Sequence, residues 1–209
     1  MSKRCLGLCV AAFSFVLSVS AQSSVVENGG GRGSEEELAA SKRLGELLRK
    51  PTFITLRLVS VPRGMSHEKP TDAPPPYIVG DWIGFQLLIS QSLSEPILFW
   101  EMTDPYDNTR VELFKDGDIV PYSKEAQANV DRTDKRPSDG SGAPIQIQPG
   151  SEHEWVTISL KEWYEPLGPG HYQLSVRRRF AWDGEWVQSS SVTFDVMEKV
   201  AVVQRIRQP

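Results

Sequence analysis

The chain has 209 residues, of which 39% are hydrophobic and 24% charged, with a formal net charge of -4 at pH 7. That apolar content is enough for one good core and not for two, so a single domain with extensions is expected. The acidic balance argues against a nucleic-acid partner.

Lys3 and Arg4 precede an apolar run from Cys5 to Val19, which ends in the small residues Val19-Ser20-Ala21. These are the charged, apolar and cleavage regions of a secretory signal peptide over 1–21, with cleavage expected near Ala21. The bulky Leu8 in front of Cys9 argues against a lipoprotein. Export removes two basic residues and no acidic ones, leaving 21 Lys+Arg against 27 Asp+Glu and a net charge of -6. Both cysteines, Cys5 and Cys9, leave with the leader, so no disulfide or thiol chemistry is expected in the remainder. Secretion without disulfides fits a bacterial exported protein, periplasmic or extracellular. No later apolar run reaches membrane-spanning length, so no transmembrane segment is expected.

Residues 22–33, ending Gly29-Gly30-Gly31-Arg32-Gly33, read as a flexible tether. A helix follows over 34–50: Ser34 and Glu37 form a capping-box pattern, acidic residues lead, Arg49 and Lys50 trail, and Pro51 stops it. Its stripe of Leu38, Leu44, Leu47 and Leu48 is expected to pack on the domain or on a partner.

The β-rich part spans 52–197. Ile54, Leu56 and Leu58 alternate with Thr55 and Arg57, giving a first strand over Phe53 to Val61. Arg63 to Pro76 is proline-rich loop, and Ile83, Phe85, Leu87 and Ile89 then alternate strictly. The continuous run Ile97-Leu98-Phe99-Trp100 reads as a short strand buried on both sides or lying at a sheet corner, with Trp100 a candidate core tryptophan. Two arms, Arg110 to Phe114 and Ile119 to Tyr122, flank an Asp116-Gly117 turn, and Pro121 puts the second arm at a sheet edge. Residues 123–143 are polar and nearly free of large apolar side chains, and are expected to form a mobile insertion. Trp155, Thr157 and Ser159 alternate with Val156, Ile158 and Leu160, and Trp163 and Tyr164 cover the end of the core. Residues 198–209 are a tail that fits a strand, a short helix or a frayed end.

Between Leu167 and Val196 two antiparallel strands are expected. Tyr172, Leu174 and Val176 alternate with Gln173, Ser175 and Arg177, and Val192, Phe194 and Val196 alternate with Thr193 and Asp195. Asp183-Gly184 either closes them tightly or lies within a longer loop over Ala181 to Glu185. The entry, Leu167-Gly168-Pro169-Gly170-His171-Tyr172, resembles the L-x-P-G-x-Y tyrosine corner of immunoglobulin-like and fibronectin-like sandwiches. The resemblance implies an all-β, immunoglobulin-like antiparallel β-sandwich. In it Tyr172 begins strand F and bonds to backbone upstream, Pro169 and Gly170 shape the corner, and Trp186 to Val196 forms strand G. Gly80-Asp81 with the alternation after it, Ser92 to Ile97 and Pro149-Gly150-Ser151 are also similar to bacterial intracellular-proteinase-inhibitor-type immunoglobulin-like domains.

Chemistry is sparsely spelled. His67, His153 and His171 lack metal-ligand spacing, Ser141 is not in a G-x-S-x-G elbow, and His153 and Glu154 point to opposite faces of a strand. Asp104, Asp107 and Asn108, or Asp116 and Asp118, offer oxygen ligands to calcium but are first of all turn formers. Arg177-Arg178-Arg179 ends a strand with Arg177 and Arg179 on one face and Arg178 on the other, a cluster suited to an anionic partner or to nearby carboxylates. Trp182 and Trp186 bracket the turn and are candidate partner-binding residues beside Arg177 and Arg179, through sugar stacking or protein anchoring. The expected function is therefore an exported, non-catalytic module without a cofactor, binding another envelope protein or a polysaccharide or serving a structural role. Its alternatives are a proteinase-inhibitor-like domain and a carbohydrate-binding accessory domain.

Overall fold

The computed structural model describes residues 35–61, 71–136 and 142–199. The signal peptide of 1–21, the tether of 22–33, Ser34, His67, Ser141 and the tail from residue 200 lie outside the described residues. The chain is mostly β and its strands pair almost entirely antiparallel. Two compact units divide between Arg43 and Leu44; the described part of the first is the leading portion of helix α1 (Glu35–Arg49), where Leu38 is exposed. In the second unit, Leu44, Leu47 and Leu48 at the end of α1 pack on the core before Pro51 halts the helix.

Three sheets follow among the described residues. The first has the order β1 (Ile54–Ser60), β3 (Gly84–Gln91), β8 (His153–Ser159). The second runs β2 (Tyr77–Ile78), β11 (Val192–Met197), β9 (Gly170–Arg178), β5 (Thr109–Lys115), β6 (Asp118–Ile119), with β10 (Val187–Gln188) also pairing β9. The third joins β4 (Ile97–Met102) to β7 (Gly142–Ile147). Only β2 and β11 among the named strand pairs run parallel.

Alternation builds a common core. Leu58↔Leu87 and Leu56↔Ile89 in the first sheet, and Val111↔Val176 and Leu113↔Leu174 in the second, are side-by-side pairs of buried residues. Phe194 of β11 joins the two sheets: its ring lies 5.3 Å from Phe85 and 5.6 Å from Tyr77, and stacks at 5.3 Å on Tyr172. Each such large side chain contributes about 1.5–3 kcal/mol by leaving water. At the start of β9 the Tyr172 hydroxyl donates to the Gly168 carbonyl at 2.7 Å. Gly170 lets the Lys115 stem lie over this corner, because a Cβ there would come within 2.4 Å of Lys115 Cε. The Lys115 ammonium then sits 5.8 Å from the Tyr172 ring centre.

The Asp116-Gly117 turn closes β5 and β6, with φ of 51° and 96° at its two residues, as a two-residue hairpin of the primed type requires. Asp183-Gly184 instead lies in the longer loop, where Gly184 N–H donates to Ala181 O at 3.0 Å. The final strand is stepped: Val187↔Arg178 and Val192↔Leu174 are one residue out of register, and Ser189 crosses over to bridge Leu56 of β1.

Two expectations are corrected. Residues 123–143 are not a mobile insertion: Lys124–Lys135 forms helix α2, capped by the Ser123 side chain, which accepts from Ala126 N–H, and anchored by buried Ala126, Val130 and Thr133. The spacing of those three residues is the period of a helix, carried by small side chains that make no conspicuous apolar stripe. Residues 142–143 begin β7, and 137–141 lie outside the described residues. Trp100 is not the core tryptophan. It is 47% exposed, whereas Trp163 is 2% exposed. β4 pairs with β7 alone in a two-stranded sheet, so one face of it stays open; Ile97 and Phe99 turn inward and Trp100 outward.

Tyr172→Phe removes the hydroxyl from Gly168 O and is expected to cost about 1 kcal/mol, read as a lower urea midpoint at unchanged slope. An unchanged midpoint would show that the corner bond contributes nothing to stability.

Candidate functional site

The site grows from the end of β9, where strand parity splits the arginine triplet. Arg178 turns inward and is 1% exposed. Its guanidinium pairs with Glu101 of β4, donates to Thr109 Oγ1 at 3.0 Å and lies 4.2 Å from the Trp155 ring centre. Trp155 reaches it because β8 carries one extra residue opposite Leu87 and Leu88, a bulge that turns the indole onto Phe99 at 4.4 Å. Burial lowers the pKa of Arg178, and the Glu101 carboxylate opposes that shift.

Arg177 and Arg179 turn the other way. Arg179 lies 3.8 Å from the Trp182 ring centre and 4.9 Å from that of Trp186, while its Nε and Nη2 donate to the Asp107 carbonyl at 3.1 and 2.6 Å. Arg177 stands 5.8 Å from Trp186 and pairs with Glu112 at 2.8 Å. A third cation, Arg110 of β5, sits directly across from Arg177 in the ladder and 5.2 Å from the same indole. Like charges directly opposed in a sheet repel. Here the repulsion is answered locally: Arg110 donates to the Tyr106 and Thr109 carbonyls at 2.5 and 2.7 Å and pairs with Asp134 of α2. Burial lowers the pKa of Arg179, and the charge of Arg110 lowers it further.

The loop holding Trp182 and Trp186 is tied down as well. Arg49 pairs with Asp183 at 2.8 Å and lowers its pKa, and Glu185 N–H donates to Arg49 O at 2.8 Å. Trp182 is 39% exposed and Trp186 half-buried.

Beside Trp186 and Arg177 opens a groove of about 400 Å³, lined also by Val120, Pro121, Tyr122, Glu112, and Val130 and Asp134 of α2. At its floor the Tyr122 and Tyr164 hydroxyls both donate to the Val111 carbonyl at 2.7 Å. Burial raises the pKa of both phenols, Tyr164 the more. The groove thus combines apolar walls with two arginine–carboxylate pairs, Arg110 with Asp134 and Arg177 with Glu112, a composition suited to ligand or side-chain capture.

No protein-family model matches this chain, and no curated protein matches it.

The other candidate residues have structural partners. His171 Nδ1 meets Asp195 Oδ1 at 2.8 Å on an exposed surface, and His153 Nε2 meets Ser151 Oγ at 2.8 Å. Asp104 accepts from Tyr106 N–H at 3.0 Å and pairs with Arg132 at 2.6 Å; Asn108 Oδ1 accepts from Thr109 Oγ1 at 3.3 Å. Asp116 accepts from His171 N–H at 3.3 Å, while Asp118 sits in β6. Among the described residues no three His, Cys, Asp or Glu side chains converge as a metal site requires, and no helix is long and apolar enough to cross a membrane. The structure therefore gathers Arg177, Arg179, Trp182 and Trp186 into one cluster and keeps Tyr172, Pro169 and Gly170 at the start of β9. Arg110, Tyr122, Tyr164 and α2 join the cluster unannounced. The helical spacing of Ala126, Val130 and Thr133 was the one signal that pointed to any of them.

Glu101→Leu leaves the Arg178 charge buried without its carboxylate and is expected to cost about 3–5 kcal/mol in denaturant unfolding. Adding Arg178→Met removes the orphaned charge and is expected to restore most of that loss. Failure of the double variant to recover stability would show that Arg178 acts through packing, not through its charge.

Proposed function

We propose that this chain is an exported, non-catalytic immunoglobulin-like module that binds a partner macromolecule of the cell envelope at the arginine–tryptophan cluster and its groove. The sandwich reading is supported by strand order. β1-β3-β8 corresponds to strands A, B and E of one sheet, and β5-β9-β11 to C, F and G of the other, with the Tyr172 corner at the start of F. Export rests on the leader-like residues 1–21, and a nucleic-acid partner is disfavoured by the net charge of -4.

One observation carries the binding role: Trp186, in contact range of three guanidiniums, lines a groove that joins apolar side chains such as Val120, Pro121 and Val130 to the charged Arg110, Glu112, Asp134 and Arg177. Held side chains lose little rotamer freedom on binding, so such a wall is preorganised. The same packing disfavours sugar stacking, because Arg179 already lies over the Trp182 ring and three cations surround Trp186. Among the described residues the non-catalytic reading is supported by the placement of His153 beside Ser151 and of His171 beside Asp195 in two different sheets, so that neither pair completes a nucleophile–base–carboxylate triad.

A photo-crosslinking residue placed at Ile119, on the groove, is expected to capture one envelope component, and the same residue at Trp82 is not. Trp186→Ala should weaken that capture by at least about 30-fold, the scale of a central aromatic anchor. Equal capture from both positions, or turnover of ester, peptide or glycoside substrates by the purified protein, would overturn the proposal.

A further inference from the structure

We infer that the groove takes uncharged, bulky apolar side chains of a protein partner and rejects an acidic or a basic residue placed among them; this deepens the binding role proposed above and rests on it. The charge balance of the lining points there. Two arginines, Arg110 and Arg177, stand against two carboxylates, Asp134 and Glu112, and the four are matched as two ion pairs. Arg110 is held further by the Tyr106 and Thr109 carbonyls. The Nε of Arg177 has no partner among the described residues, but it is buried and out of a ligand's reach. The groove therefore offers a ligand no net charge. An entering carboxylate would meet Asp134 or Glu112 wherever it met an arginine, and an ammonium would meet the arginines likewise.

The neutral polar groups of the lining are taken as well. The Tyr122 and Tyr164 hydroxyls donate to the Val111 carbonyl, and Gln127 Nε2 donates to Asp131 at 2.7 Å. Sugar hydroxyls would lose water here without gaining partners. What the lining leaves for contact is apolar: Val120, Pro121, Val130, Trp186 and Ile119, the last 70% exposed. An acyl chain needs a continuous hydrocarbon wall, whereas half of the fourteen lining residues carry a polar side chain. Separate apolar side chains on a peptide suit such a mixed lining. Strand addition at this edge is disfavoured, since β6 is two residues long and Pro121 follows it. The ion pairs then set specificity by repelling the wrong ligand, while the apolar residues supply the attraction.

The test uses the full chain and four labelled, end-blocked peptides, Leu-Ser-X-Ser-Leu with Met, Gln, Glu or Lys at X, titrated by fluorescence anisotropy. Alternation puts X on the same side as the two leucines. The Met peptide is expected to bind best, and the Gln peptide at least about fivefold more tightly than its Glu and Lys twins. Raising NaCl to about 0.5 M should leave the Met peptide's affinity within about twofold. Glu112→Gln, which frees Arg177, should turn the preference toward the Glu peptide, and Arg177→Gln, which frees Glu112, toward the Lys peptide. A merely structural role for that pair would move neither. Gln127→Trp, on the exposed face of α2 at the groove, should weaken all four by at least about tenfold without changing the melting temperature. Equal binding of the Gln, Glu and Lys peptides, or binding of none while Trp186-dependent capture at Ile119 persists, would overturn the inference and leave the binding role standing. Dimerisation of the chain that is lost in Gln127→Trp would name a second copy as the occupant and overturn it too. Capture that no longer depends on Trp186 would overturn the binding role and the inference together.

Discussion

Period-two alternation along β9 organises both the core and the surface of this protein. The strand pairs with β5 on one side and with β10 and β11 on the other, so its side-chain parity is imposed on three neighbours at once. Tyr172, Leu174, Val176 and Arg178 point inward; Gln173 and Arg177 point outward. A slip of one residue would exchange these sets, burying Arg177 and exposing the centre of the core. Phe194, seated opposite Tyr172 and against Phe85 of the facing sheet, makes that slip still more costly.

Extending the inward set to Arg178 places a charge where a hydrophobic residue would serve. Desolvation opposes it, and the fold offsets this with Glu101, Thr109 and the face of Trp155. The partners come from β4, β5 and β8, so one arginine ties all three sheets together. The β8 bulge belongs to the same arrangement, because without the extra residue Trp155 would point away from the core.

On the outer face the same alternation lines up cations that repel each other, and the structure resolves the conflict with aromatic rings and carboxylates. Trp186 is the shared neighbour of Arg110, Arg177 and Arg179, and α2 supplies Asp134. Helix α2 and the two tyrosine hydroxyls on Val111 O also cover the edge of β5 beyond the short β6, where a bare strand edge would invite pairing with another chain. What remains open beside them is the groove.

Much of this was legible in the residues alone. Strand parity depends only on the order of side chains, so the inward Leu174 and Val176 and the split of the arginine triplet could be read directly, as could the Asp116-Gly117 turn, whose residue types tolerate positive φ. Which residues meet across space could not. Trp100 and Trp163 are equally apolar, and only the pairing of β4 with β7 alone exposes the first. Helix α2 carries one large aliphatic residue, Val130, and is held by tertiary burial and by Asp134 at Arg110, so its sequence reads as solvent-exposed chain. Local order thus set which faces exist, whereas the groove and its third arginine arise from residues far apart in sequence, brought together only when the sheets close.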